Sequence, residues 1–300
     1  MVGGTVFELV TSAMSTPTHR FKGLTNVNLQ KLYQAYLQDR INTKGLTAAS
    51  IATIECHFKM LLKACPDKFP TSDDMIAFLG TKTPGIRRRA FETFRAFARW
   101  LKKKGIMPEP WADIEKPRVP KSLPPAPSLE QVKSLFSYID SHFEPNIALR
   151  NKAIIAVLIE SGLRLTEIAS VTSPNIDWQE HTIRVWGKGQ KEGKAPFGDV
   201  SEALLKQWLS ENKPISGDNI WGLSRNGIQI MLKRLKIATG IPSNAHSFRR
   251  AFASILRRSG VDTMTIKDLG RWESLEMVQR YTRSVTFQDS LKFYKAPLGH

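Results

Sequence analysis

Cysteine is almost missing from this chain of 300 residues: only Cys56 and Cys65 occur, both in one helix-like stretch. That pair offers no disulfide framework and no zinc set, and it suits a reducing compartment. Six scattered histidines without an HExxH pattern supply no metal site. No run approaches the roughly 18 apolar residues that a membrane-spanning helix needs. Met1 to Arg20 lacks a basic start followed by an apolar core, so it does not read as a secretory signal. Acids are scarce relative to bases. Lys and Arg number 44 against 27 Asp and Glu, a formal charge of +17. Repulsion on that scale works against a compact chain, so a polyanion is the natural partner, nucleic acid first and an anionic membrane surface second. What is present is ordinary: an apolar fraction of 41% and a length sufficient for two domains with cores of their own.

Residues 1–22 read as a leader. A helical domain follows over 23–116. Leu29, Leu32, Tyr33, Tyr36 and Leu37 form a stripe at helical spacing, as do Ile51, Ile54, Phe58, Leu61 and Leu62. A shorter helix follows Ser72 and stops at Gly80, and a fourth runs from Thr83-Pro84 to Gly105. Ala90, Phe94, Phe97 and Leu101 mark its buried side. Arg88, Arg95, Arg99 and Lys102 mark the other side, which reads as a solvated surface or as a phosphate-contacting face. Prolines break all periodicity over 117–127, as expected of a linker. Ser128, with Gln131 three residues on, opens the second domain with a capping box. That domain, 128–285, is expected to be mainly α with a small β-hairpin sheet. Its strands are Ile176 to Trp178, Thr182 to Trp186 and Ala195 to Phe197, with a glycine- and lysine-rich tip over 187–194. Residues 286–300 form a tail. From Val285 on, it carries Phe287, Leu291, Phe293 and Tyr294 with little chain left to bury them, so they fold back or meet a neighbouring subunit.

Chemistry concentrates in the second domain. In His246-Ser-Phe-Arg249 an imidazole and a guanidinium share one helix face. Arg164 and Glu167 stand three apart. Tyr281 falls in the last turn of a helix that begins at Ser274, and Trp272 lies nine residues before it. Each has a structural reading as well: a surface ion pair, a helix cap, a core indole, a half-buried anchor. Lys188 competes with Lys191 and Lys194.

Together these residues resemble the tyrosine recombinase (phage integrase) family, whose boxes stand here as GLRLTE, GKG, HSFR and LGRWESLEMVQRYTR. Arg164 to Lys188 is 24 residues, Arg249 to Trp272 is 23 and Trp272 to Tyr281 is 9, spacings that agree with Xer-type members. The resemblance implies a two-domain architecture with a helical core-binding domain. It implies duplex DNA at a specific site as partner, and a homo-tetramer on two DNA sites from a monomer or weak oligomer off DNA. No cofactor and no metal are expected, and a cytoplasmic, nucleoid-associated enzyme is implied. Tyr281 would be the nucleophile and His246 would accept its proton. Arg164, Arg249 and Trp272 would hold the scissile phosphate, and Glu167 would hold Arg164. Lys188 would protonate the leaving 5′-oxygen, with Lys191 and Lys194 as phosphate contacts. Trp272 stands where histidine is commoner; an indole only donates a hydrogen bond, so it is no base. A type IB topoisomerase uses nearly the same constellation, and residues 251–283 alone could form the helix-turn-helix of a non-catalytic DNA-binding protein.

Overall fold

The computed structural model of the protein describes residues 26–66, 68–120, 125–187 and 192–294. The chain divides into two compact units, Met1–Lys121 and Ser122–His300. The expected leader, part of the linker, Lys188, Lys191 and the end of the tail lie outside the described residues.

The first unit is built from α1 (Asn26–Lys44), α2 (Ala48–Ala64), α3 (Ser72–Gly80) and α4 (Pro84–Lys103). Their apolar stripes meet in an aromatic core. The ring of Phe58 takes Phe97 edge-on at 5.0 Å and Phe94 at 5.3 Å, the electrostatically favoured arrangement of aromatic quadrupoles. Thr71, one residue before the expected start, caps α3 by accepting from Asp74 N while the Asp74 carboxylate accepts from Thr71 N. After α4 the chain turns at Trp111, whose indole donates to Pro70 O at 2.8 Å.

On the basic side of α4, two of the four cations have close partners within the protein. Arg88 pairs with Glu92 at 2.7 Å and donates to Pro117 O. Arg95 pairs with Glu109 at 3.1 Å and donates to the carbonyls of Trp111 and Ala112. Both guanidiniums therefore fasten the segment after α4 to the helix. Arg99 lies 3.8 Å from the same Glu109 but is 68% exposed, and Lys102 is exposed as well.

In the second unit, α5 (Leu129–His142), α6 (Pro145–Ser161), α8 (Asp199–Asn212), α9 (Arg225–Thr239) and α10 (Ala245–Arg258) surround one core. Helix α6 lies at its centre, with Ala153, Ile154, Ile155, Val157 and Leu158 buried. The short α7 (Leu165–Ala169) follows α6, and α11 (Thr263–Leu269) and α12 (Leu275–Thr282) pack on α10. Ser128 and Gln131 make the expected capping box at α5.

Strands β1 (Ile176–Asp177), β2 (Thr182–Trp186) and β3 (Glu192–Pro196) pair antiparallel in that order. Ile183 faces Ala195 and Val185 faces Gly193, which buries one side of β2 and exposes Arg184 and Trp186. The third strand begins at Glu192, earlier than the Ala195 expected from the sequence. Glu, Gly and Lys have little β-propensity, and cross-strand pairing with β2 overrides it. Lys194, expected in the tip, belongs to the strand, exposed and opposite Arg184. Beyond α12, a last helical turn, α13 (Phe287–Leu291), leaves Phe287 73% and Tyr294 64% exposed. Phe293 lies against Gly260.

Candidate active site

The site grows from three helix ends. Helix α6 stops at Gly162, whose φ of +60° belongs to glycine's range and whose missing Cβ leaves room for Phe252. The chain then enters α7 through Arg164. Glu167, 2% exposed, caps that entrance twice: one carboxylate oxygen accepts from Arg164 N at 2.8 Å, the other from Arg164 Nη1 at 2.6 Å. Burial alone would raise the Glu167 pKa; the Arg164 backbone bond and the charges of Arg271 and Arg164 outweigh it, so the carboxyl stays below its usual range.

Helix α10 is capped by Asn244, whose side chain accepts from Ser247 N while its own backbone N–H donates to the Ser247 hydroxyl. That cap sets His246 in the first turn and Arg249 one turn on. Arg249 is 2% exposed. Its Nη1 donates to Gly162 O and its Nη2 to Gly270 O, and the guanidinium lies 4.3 Å from the Trp272 ring centroid. Gly270 is obligatory here, since a Cβ would fall 1.8 Å from the Trp272 ring. Burial, then the neighbouring charges of Arg164 and Arg271, push the Arg249 pKa down to about 9. It stays charged at neutral pH, held ready by two carbonyls and an aromatic face.

Tyr281, in the last turn of α12, has its hydroxyl 3.3 Å from His246 Nε2. The imidazole pKa is lowered by desolvation and by Arg250, Arg249 and Arg164, so a neutral ring faces the phenol. Trp272 is 3% exposed and its indole N–H has no hydrogen-bond partner among the described residues. A buried donor left open costs free energy unless something else accepts from it.

Arg164, His246, Arg249, Trp272 and Tyr281 line one pocket of about 490 Å³, together with Arg225 from the start of α9. Its described lining contains three arginines and no carboxylate. An anion that accepts several hydrogen bonds matches such a wall, and here it would lie beside a tyrosine hydroxyl. Five of the residues singled out from sequence thus converge, with Glu167 directly behind Arg164. Lys188 and Lys191 lie outside the described residues, and Lys194 stands on β3 outside the pocket lining. Sequence reasoning gave no role to Arg225 or to Arg271, whose Nη2 lies 3.4 Å from Glu167. No local signal in the sequence marks either arginine, because the site contacts of both are with segments distant along the chain.

Residues 128–286 match the phage integrase family. Tyrosine recombinase XerC of Alcanivorax borkumensis is 32% identical over 220 residues, covering 69% of this chain and 71% of the relative. Tyrosine recombinase XerD of Listeria innocua is 27% identical over 281 residues, covering 85% and 94%. Among solved structures, a lambda integrase dimer bound to a COC′ core site superposes with a TM-score of 0.72 at 13% identity, over 88% of this chain and 79% of that one. That likeness concerns the fold. The chain belongs to the phage integrase family and is a tyrosine recombinase.

Proposed function

We propose that the protein is a site-specific recombinase that cleaves and rejoins duplex DNA through a covalent link to Tyr281. The observation that carries this is the Tyr281 hydroxyl, 3.3 Å from a neutral His246 at a pocket lined by three arginines. Arg164 and Arg249 bind the non-bridging oxygens of the scissile phosphate, and the open indole N–H of Trp272 donates a third bond. These groups stand in place before the reaction, which is where electrostatic stabilisation of developing charge is most effective. Tyr281 Oη attacks phosphorus as its proton passes to His246 Nε2. The bond to the 5′-oxygen breaks, Lys188 protonates that oxygen, and the products are a 3′-phosphotyrosyl link and a free 5′-hydroxyl. Attack by a 5′-hydroxyl from a second duplex reverses the step, strand by strand through a Holliday junction. Pre-placed guanidinium charge fills the part that a metal ion plays elsewhere, and religation draws on the conserved phosphodiester energy, so neither metal nor ATP enters.

The first unit serves as the core-binding domain, with Arg99 and Lys102 reaching phosphates, and Lys191 and Lys194 do so from the hairpin. The assembly is a tetramer on two DNA sites, formed from monomers or weak oligomers off DNA, and the exposed tail residues Phe287, Leu291 and Tyr294 dock on a neighbouring subunit within it. A cytoplasmic, nucleoid-associated enzyme fits such a substrate. The test is covalent capture: wild-type protein is incubated with a pool of randomised duplexes and resolved under denaturing conditions. Adducts are expected with wild type and none with Tyr281→Phe, and the captured sequences then define the core site for strand-exchange assays. Adducts persisting in Tyr281→Phe would refute the assignment of the nucleophile.

A further inference from the structure

Arg271 has a φ of +55°, in the left-handed region where a side chain is strained and a glycine would not be. What holds it there is its side chain. The stem crosses β3 at Gly193, where a Cβ would come within 3.0 Å of Arg271 Cδ. Nη1 donates to Leu269 O at 2.9 Å and to Lys194 O at 3.3 Å, and Nη2 lies 3.4 Å from the Glu167 carboxylate. The guanidinium is thus a rivet between the turn before Trp272, strand β3 and the carboxylate behind Arg164. Its side chain is 14% exposed and is absent from the pocket lining, so it does not touch the reacting atoms.

We propose that Arg271 is a positioning residue that fastens the tip-proximal end of β3 to the catalytic body. Loss of Arg271 leaves the Arg164–Glu167 pair with its own bonds at 2.6 and 2.8 Å, so that pair survives. Strand β3 is paired with β2 over Glu192–Pro196, so what depends on Arg271 is the tie between this end of the hairpin and the catalytic body. Beyond β3 its other end is tied independently, because the Glu160 carboxylate accepts from Gly198 N and Ser201 N. Near Gly193 and Lys194 the tie runs through Arg271. The chemical consequence rests on the Lys188 reading above: the strand that Arg271 fixes leads directly into the lysine-bearing tip, so its loss is felt in protonation of the leaving 5′-oxygen.

Two measurements test this. Amide hydrogen exchange on the free protein should be about tenfold faster over residues 182–186 and 192–196 in Arg271→Gly, with α6 and α10 unchanged, because only a local opening becomes easier. Gly193→Val, which suits a strand better but displaces the arginine stem, should give the same signature in a protein that folds. The second measurement is single-turnover cleavage of the captured core site, with either oxygen or sulfur at the bridging 5′-position. A thiolate departs without a proton donor, so Arg271→Gly should lose about tenfold on oxygen-bridged DNA and recover nearly wild-type rate on sulfur-bridged DNA. DNA affinity should hold in both variants. Unchanged exchange overturns the fastening, and an equal loss on both substrates overturns its route through the hairpin. If Lys188→Ala itself is not recovered by sulfur, the Lys188 reading fails together with that route, while the exchange data still decide the fastening.

Discussion

Arg249→Met separates what Arg249 does for catalysis from what it does to stability. The guanidinium is 2% exposed and its pKa falls from the ordinary arginine range to about 9. At 1.36 kcal/mol for each tenfold change in proton affinity, keeping that charge buried in the free protein costs about 5 kcal/mol. Replacing it by methionine removes the cost and keeps an unbranched apolar stem against Trp272. Against this, the carbonyls of Gly162 and Gly270 lose their donor, at about 1–3 kcal/mol each. The two effects nearly cancel. Thermal unfolding of DNA-free Arg249→Met is therefore expected within a few degrees of wild type at pH 7, or above it. Cleavage should fall roughly a hundredfold or more, the loss typical of a missing oxyanion donor. Differential scanning calorimetry beside single-turnover cleavage of the captured site reads both. Destabilisation by 10 °C or more would refute the reasoning, since it would show the buried arginine to be a net contributor to the fold.

Trp272→Phe keeps an aromatic face over Arg249 and removes the open N–H. Cleavage should drop by about a hundredfold, whereas Trp272→His, which restores a donor, should retain substantial activity; equal losses in the two variants would count against a hydrogen-bonding role. For pH, burial and three arginines depress His246 below 6.5, so the neutral base persists into mildly acidic solution. The cleavage rate should rise with pH to a plateau, with its midpoint below 6.5, and a midpoint above 7 would contradict the assignment. Stability follows the same sign. The unfolded chain takes up a proton on this residue before the folded one does, so stability is lost as pH falls below 6.5.

The sequence by itself determined much of this protein. Leu29, Phe58, Phe94 and Leu101 are core because their spacing leaves each helix one apolar side. The cap at Ser128 and the ends at Gly80 and Gly105 are local chemistry, legible wherever they occur. The convergence of Arg164, His246, Arg249, Trp272 and Tyr281 was legible through family resemblance, since their order along the chain carries no geometry. Only the tertiary structure decided which cations are free. Arg88 and Arg95 share a helix side with Arg99 and Lys102, yet Glu92 and Glu109 hold the first two at 2.7 and 3.1 Å while Arg99 stands 3.8 Å from Glu109 and stays exposed, and how closely a neighbouring acid approaches an arginine is a matter of packing. The start of β3 at Glu192 likewise escaped propensity, because the strand exists through its pairing with β2. Arg271 shows the same limit most clearly. Its letter is one basic residue among 44, and its place between Gly193, Lys194 and Glu167 arises only when segments about 80 and 100 residues away in sequence fold against it.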